Sequence, residues 1–538
     1  MRAVWLTTIG GLDWPHTKAH STESREKQQR ELEDILDRLQ EAKFNTVFLQ
    51  ARVRSTVIWP SAIEPWDDCL TGHAGKDPGY DPMAFAVEAC HKRGLELHAW
   101  VVAIPGNSLN KAKALGKRAM QQRLPSLCLR SGEGWMLDPG QPGTAPYLAS
   151  LCAELTRNYD IDGIHLDYLR YPEKEVRYND TPTYRRYGNG QNKAQWRRDN
   201  ITRCAKEIYK AVKTLKPWVR VSCSPVGKHD DLPRYSSKGW NAYTAVSQDA
   251  QGWMLAGYMD MIVPMMYFQG NHFYPFVQDW VENSGGRIVV PGLGAYLLAA
   301  GQKDWPLETI ERECHVIRTM GAGGQAYFRS RFVTDNTKGL YDFLKQACYT
   351  APAFTPPLTW EKATPPAQPT GLRIESRDGQ ARLLWDTPDT KEQITYNVYK
   401  SYTRPTDIGD TRNLIAQQLK QTRLELGTDV PDTFRPHYAV TAMDRYGNES
   451  LPARLEAPQP QAPTSFCTGL LLLRGDTLVL PSKNLEEYIL VTGMGGQTIC
   501  TLPYTTLMNT APLQMGLYDI RTLGKKGKDH YLGRLFKR

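Results

Sequence analysis

The chain has 538 residues, of which 41% are hydrophobic and 23% charged, and its formal net charge at pH 7 is +9. This composition is typical of a water-soluble globular protein with roughly two to four domains. The basic residues are scattered, which argues against nucleic acid as a partner. No apolar run reaches the ~18 residues of a transmembrane helix, so no transmembrane segment is expected.

The ten cysteines are dispersed and include no CxxC pair. We expect most of them to be buried free thiols. No His or Cys residues stand at metal-ligand spacing, so the sequence predicts no metal and no other cofactor.

Strand-like and helix-like segments alternate from residue 2 to about residue 350, a pattern that predicts an α/β domain at 1–350. The alternative is a doubly wound open sheet, but the count of eight strands and the lack of a Gly-rich phosphate loop favour a (β/α)8 TIM barrel. The predicted strands are RAVWLTT (2–8), TVFLQAR (46–52), LELHAWVV (95–102), GIHLDYLR (163–170), RVSCSPVG (220–227), MIVPMMYF (261–268), RIVVPGLGAY (287–296) and GQAYFRS (324–330).

A Pro-rich stretch at 351–365 is predicted to be a linker. Short strand patterns then follow between turn residues, which is typical of a β-sandwich. Residues 366–457 resemble a fibronectin type III domain, with Trp385 and Tyr438 at the positions of core aromatics and the ending AVTAMDRYGNES. The last segment, 463–538, is predicted to be a small all-β domain.

The stretch DGIHLDYLRYP at 162–172 is the most informative part of the barrel. Strand alternation places Ile164, Leu166 and Tyr168 on one face and His165, Asp167 and Leu169 on the other. In a barrel the second face lines the axis, so Asp167 is expected near the C-terminal end of an inward-facing row. The alternative is a structural carboxylate that pairs with Arg170.

Polar and aromatic residues recur at the C-terminal ends of the predicted strands, where barrel enzymes place their sites. Together, carboxylates, arginines and aromatic rings indicate a carbohydrate site, because sugar C–H faces stack on rings while hydroxyls need charged and amide partners. The predicted substrate-binding residues are Arg52, Trp59, Trp66, His98, Trp100, His165, Tyr168, Arg170, Tyr267 and Arg329.

Glycoside hydrolysis needs two carboxyl groups that flank the scissile bond. Asp167 and Glu64 are the predicted catalytic pair, and Glu64 is assigned as general acid because the Pro and Trp residues around it would raise its pKa. The alternative for Glu64 is a salt bridge to Arg52 or Arg54 that orders its loop. For Asp13, a turn-forming role is favoured over catalysis.

The motifs MRAVWLTTIGGLDWP, LQARVRSTVIWPSAIEPW, LDPG, DGIHLDYLRYP, VSCSPVGK and MIVPMMYF, in this order, resemble the glycosyl-hydrolase-like family 10 over nearly all of residues 1–345. The resemblance implies a barrel related to glycoside hydrolases, in proteins that are typically exported by bacteria. One branch of the family is thought to cleave peptidoglycan strands without peptides. It also implies that Glu64 and Asp167 match the motif carboxylates.

The sequence and the resemblance together predict a glycoside hydrolase of a bacterial cell-wall glycan, exported to the periplasm or cell surface. Since Met1 is followed at once by a strand, an export signal is expected to have preceded it. Arginines near the site favour an anionic glycan such as one with the lactyl carboxylate of N-acetylmuramic acid. The alternatives are a hydrolase of dietary or host polysaccharide, a carbohydrate-binding surface protein without turnover, and a scaffold whose fibronectin-like and C-terminal domains bind protein partners. The fibronectin-like domain is also a candidate for contact with a cell surface.

Overall fold

The computed structural model describes residues 1–233, 239–402, 405–428 and 436–455, together with 470–537 except for 472, 475, 481–485, 494–496, 515 and 525–528. The chain divides into two compact units, Met1–Ala363 and Thr364–Arg538. Within the described residues, no helix is both long and apolar enough to cross a membrane.

The first unit is a closed parallel barrel, and all eight predicted strands are present in it. Its seventh strand consists of two segments, Ile288–Val289 and Gly292–Leu293. The first segment pairs with the sixth strand and the second with the eighth, so this interrupted strand closes the ring. The other strands are Arg2–Leu6, Thr46–Arg52, Glu96–Val102, Gly163–Asp167, Arg220–Cys223, Met261–Ile262 and Gln325–Phe328.

Helices follow the strands and cover the outside of the barrel, as the sequence pattern predicted. In the first helix, Leu32, Leu36 and Leu39 are buried at helical spacing. Ser21 caps this helix by accepting a hydrogen bond from the Ser24 amide. The longer helices are Thr22–Glu41, Pro82–Lys92, Thr144–Asn158, Lys193–Leu215, Tyr274–Glu282 and Leu307–Thr319; shorter ones include Asp68–Thr71, Leu109–Leu115, Met120–Arg123, Thr181–Tyr187, Ala242–Ala245, Ala250–Leu255, Ser330–Thr334 and Leu340–Phe343.

The predicted linker is in large part packed on the barrel. Trp360 donates its indole hydrogen to Asp260 Oδ1 at 2.8 Å, and the Arg287 guanidinium lies 4.4 Å from the centre of the Trp360 ring. Arg220 donates to the carbonyl of Pro356 at 2.7 Å. These contacts place the segment across the end of the barrel at which the strands begin, and the first unit extends to Ala363.

The second unit contains only β-sheets among its described residues, apart from the short helical turn Thr411–Asn413. Seven strands before residue 456 form a three-stranded and a four-stranded antiparallel sheet, with Trp385 and Tyr438 in the shared core as predicted. The boundary predicted between 457 and 463 lies outside the described residues. The strands of this unit are Thr370–Arg377, Gln380–Asp386, Ile394–Ser401, Leu414–Leu419, Arg423–Thr428, His437–Asp444 and Ala453–Leu455, then Leu470–Leu471, Leu473–Arg474, Thr477–Val479, Glu486–Gly493, Thr498–Pro503, Leu507–Asn509, Gly516–Gly524 and Asp529–Lys537.

Candidate active site

Asp167 is the last residue of the fourth barrel strand and connects the ends of three neighbouring strands. Trp100, on the third strand, donates its indole hydrogen to Oδ2 at 3.1 Å. Ser224, just beyond the fifth strand, donates to Oδ1 at 3.1 Å, and the backbone amide of Tyr168 donates to the same oxygen at 2.8 Å. The side chain therefore points inward, as strand alternation predicted, and its position is fixed from three sides.

The environment of Asp167 favours a proton on its carboxyl group. The residue is only 6% exposed, and burial raises the pKa of this carboxyl above its ordinary value. The positive charge of Arg170 and the donors from Tyr168, Ser224 and Trp100 lower the pKa, but they do not cancel the effect of burial. A carboxyl group with a raised pKa can serve as an acid in catalysis near neutral pH.

The strand ends at Asp167, three residues earlier than the predicted run to residue 170. Tyr168 has a φ of +51°, in the left-handed region that a tyrosine seldom adopts. Such a conformation costs about 1–3 kcal/mol and is most common at functional sites. The turn ends the strand alternation and places Tyr168 in the wall of a cleft.

This cleft has a volume of about 440 Å³, and residues that follow Asp167 in the sequence, from Tyr168 onward, line it. One wall is the segment from Tyr168 to Val176, and another is a hairpin whose strands are Cys128–Ser131 and Gly134–Leu137. The side chains that give the cleft its chemistry are Arg54, Glu133, Trp135, Tyr168, Arg170 and Glu173. The predicted site residues do not include Arg54, Glu133, Trp135 or Glu173, although the stretch SGEGWM, a turn before an aromatic, is a signal for this hairpin.

Aromatic rings surround the mouth of the barrel beside Asp167. The Phe328 ring lies 6.5 Å from that of Trp100 and 5.8 Å from those of Tyr267 and Tyr296, measured between centres. Burial, with the negative charge of Asp167 adding to it, holds the pKa of Tyr267 well above its ordinary value. The Tyr267 hydroxyl therefore keeps its proton and can act as a donor.

Glu64 forms a buried ion pair with Arg52 that is held by two hydrogen bonds. Arg52 Nε and Nη2 donate to the two carboxylate oxygens of Glu64, each at 2.7 Å, and the Tyr147 hydroxyl donates to Oε1 at 2.7 Å. Neither side chain of the pair is exposed. Arg52 also donates to the carbonyls of Val102 and Ala103. The geometry thus favours the salt-bridge alternative for Glu64 over a general acid, and it gives Arg52 a structural role instead of contact with a substrate.

His98 and His165, which were predicted to bind substrate, belong to the barrel core instead. His98 is fully buried and contacts Glu96 Oε2 at 3.2 Å, near the beginning of the third strand and so at the far end of the barrel. His165 Nε2 accepts the Trp5 indole hydrogen at 3.0 Å, and its Nδ1 therefore donates to Ser222 at 2.9 Å. Burial holds the pKa of His165 well below its ordinary value, so its ring is neutral.

Trp59 and Trp66, the two tryptophans after the second strand that were predicted to bind substrate, also pack within the fold. Trp59 is fully buried and donates its indole hydrogen to Glu154 Oε2 at 2.8 Å. Trp66 is partly buried against the main core and is bridged to Val57 through the backbone. Both rings therefore stabilise the loop of residues 53–66, and the prediction that Trp59 stacks on a sugar is wrong because the ring has no exposed face.

The two remaining arginines, Arg329 and Arg170, differ in their position relative to the cleft. Arg329 forms an ion pair with Asp13, which also accepts from the amide and hydroxyl of Thr7 at 2.9 and 2.7 Å. Asp13 therefore ties the first strand to the eighth. Arg170 lines the cleft and donates to Glu173 Oε1 at 2.7 Å. Among the described residues, no three His, Cys, Asp or Glu side chains are grouped to hold a metal ion.

Known proteins resemble this chain most clearly over the barrel. The family model described as glycosyl hydrolase-like 10 matches residues 1–284. Glycosyl hydrolase YngK of Bacillus subtilis is 30% identical over 486 residues, which cover 84% of this chain and 92% of that protein. Glycosyl hydrolase DigH of Escherichia coli is 35% identical over 288 residues, covering 50% of this chain and 65% of DigH. The glycoside hydrolase domain of PgaB from Bordetella bronchiseptica aligns with a TM-score of 0.43 at 14% identity, covering 64% of this chain and 97% of that domain.

Proposed function

Because this chain belongs to the glycosyl hydrolase-like 10 family, we propose that it hydrolyses the glycan strands of the bacterial cell wall once their peptides have been removed. Membership identifies the chain as a glycoside hydrolase; the proposal concerns its substrate and its catalytic groups. The observation that carries the proposal is the position of Asp167, which ends a barrel strand and is followed directly in the sequence by Tyr168, a residue of the cleft with aromatic walls.

Asp167 and Glu173 are the proposed pair of catalytic carboxyl groups. Burial raises the pKa of Asp167. For Glu173, burial is outweighed by the charge and hydrogen bond of Arg170, so the pKa of that carboxyl is lowered. Environments that separate the pKa values of two carboxyls assign one as acid and the other as base or nucleophile. Asp167 would protonate the leaving glycosidic oxygen, and the ionised Glu173 would activate water or attack the anomeric carbon.

The side chains of the cleft fit an acidic glycan. Trp135 and Tyr168 offer ring faces for sugar stacking, and Arg54 is an exposed cation in the same wall. A lactyl carboxylate on alternate sugars would give such a cation an anionic partner. This substrate implies a protein that works outside the cytoplasm, in the periplasm or at the cell surface, where the fibronectin-like part of the chain would be free to contact wall or protein surfaces.

Mass spectrometry of products from peptide-free peptidoglycan strands tests the proposal. The parent protein should release fragments, and Asp167→Asn and Glu173→Gln should each reduce the rate at least about 100-fold, the usual scale for loss of an acid or base. Glu175→Gln is the matched control, since Glu175 is exposed two residues away and is not part of the cleft. Fragments at the parental rate from both variants would remove these carboxyls from the mechanism. Cleavage of plant or host polysaccharides alone would replace the substrate.

A further inference from the structure

Trp240 is an exposed aromatic residue next to the proposed active site. Its side chain is 45% exposed, and each of the other tryptophans is partly or fully buried. A large ring that is left in water costs free energy, and isolated examples are common on protein surfaces. Exposure alone therefore does not indicate a function for Trp240, and its contacts with neighbouring residues are the relevant observation.

Arg170 joins Trp240 to the cleft. The guanidinium carbon of Arg170 lies 4.6 Å from the centre of the Tyr168 ring and 5.7 Å from the centre of the Trp240 ring. Tyr168 and Arg170 both line the cleft. The three planar groups thus form a continuous row that leads from Asp167 to the exposed ring of Trp240, and cation–π contacts hold this row together.

Arg170 also has hydrogen-bonding capacity that the protein does not use. The residue is 4% exposed, and Nη2 donates to Glu173. Its Nε and Nη1 atoms have no hydrogen-bond acceptor in the described part of the chain. Buried donors without an acceptor are unfavourable and uncommon in folded proteins. An acceptor oxygen on a bound molecule would satisfy them.

From these two observations we infer that Trp240, together with Tyr168 and Arg170, forms a second sugar-binding subsite beside the one at Asp167. The ligand is a pyranose whose C–H face stacks on the Trp240 ring and whose hydroxyl or carboxylate oxygen accepts from Arg170. This inference rests on the proposed function and extends it, since a second subsite makes the enzyme select long glycan chains over short ones.

Chain-length dependence tests the subsite directly. kcat/KM is measured on peptide-free glycan strands from two to eight sugars long, and on chito-oligosaccharides of the same lengths, which lack the carboxylate. For Trp240→Ala, the ratio of kcat/KM on long over short chains should fall about tenfold, mainly through KM, which corresponds to about 1.4 kcal/mol of lost binding. Trp240→Phe should recover most of the ratio because it keeps a stacking ring. Leu255→Ala, which truncates another exposed apolar side chain (65% exposed), should leave the ratio unchanged.

Each outcome separates the subsite from the proposed function. A ratio for Trp240→Ala equal to that of the parent overturns the subsite while cleavage by the parent upholds the function. In the parent, equal long-over-short ratios on the two series assign the acceptor on the sugar to a hydroxyl; a larger ratio on the glycan strands, which carry the carboxylate, assigns it to the carboxylate. If the parent cleaves neither series, calorimetry with Asp167→Asn decides: binding that Trp240→Ala weakens supports the subsite without the function, and absence of binding overturns both.

Discussion

The Trp100 indole should control the protonation of Asp167, and Trp100→Phe isolates that effect. The substitution keeps an aromatic ring but removes the hydrogen that is donated to Asp167 Oδ2 at 3.1 Å. A hydrogen bond to an ionised group is worth about 1.5–3 kcal/mol. Because this bond stabilises the carboxylate, its loss should disfavour the ionised form by up to that amount and raise the pKa of Asp167 further.

The assay is the pH dependence of kcat/KM on the cleaved glycan. If Asp167 acts as the acid, activity falls as pH rises through its pKa, so the alkaline limb of the profile should move to higher pH in Trp100→Phe. Trp253→Phe is the matched control, because the Trp253 indole donates to Thr202 at 2.9 Å on the outside of the barrel. An alkaline limb that stays in place, or moves to lower pH, would refute the assignment of Asp167 as the acid. Movement of the acidic limb alone would instead identify Asp167 as the base.

Three further predictions concern stability. Glu64→Gln should cost about 3–5 kcal/mol in urea unfolding, because it leaves the Arg52 charge buried without its partner; a loss below about 1 kcal/mol would contradict this. Burial raises the pKa of Glu313 to about 9, so the free-energy cost of burying its carboxylate grows as the pH rises from about 4.5 to 9. Glu313→Gln should therefore stabilise the protein by roughly 3 kcal/mol at pH 7 and by almost nothing at pH 4.5. Urea titrations at the two pH values measure this difference. A chain ending at residue 363 should keep the melting temperature of the barrel. A chain ending at residue 350 should lose about 3 kcal/mol or more of its free energy of unfolding, and melt at a lower temperature, because the contacts of Pro356 and Trp360 are gone. Equal melting temperatures for the two chains would show that the segment is only a linker.

Strand patterns in the sequence were sufficient to predict the barrel. The eight apolar runs are separated by helix patterns, and an error of a few residues at the strand ends does not alter the order of the strands. The inward direction of Asp167 also followed from alternation alone.

Depth within the barrel could not be predicted in the same way. His98 and Asp167 both face inward, but His98 is paired with Gly163 while Asp167 is paired with Val102. Four residues along a strand correspond to about 13 Å, which places His98 well below the mouth. The register between strands determines this depth, and alternation within a single strand carries no information about it.

Loop residues were predicted least well, since their neighbours come from distant parts of the chain. Glu64 lies among Pro and Trp residues in the sequence. Its partners in the structure, however, are Arg52, which is 12 residues earlier, and Tyr147, which is 83 residues later. Conversely, the stretch around Glu133 and Trp135 predicts a hairpin, but nothing in it predicts that the hairpin lines the cleft.

Arg170 acts differently on the two carboxyl groups that are proposed as the catalytic pair. Its direct hydrogen bond to Glu173, at 2.7 Å, favours the ionised form of that partly exposed carboxyl. Asp167 receives only the longer-range charge of the same arginine, which does not outweigh its burial. This difference in contact with Arg170 lowers the pKa of Glu173, while burial keeps the pKa of Asp167 raised. It is the physical reason why Asp167, of the two, is the one proposed as the acid.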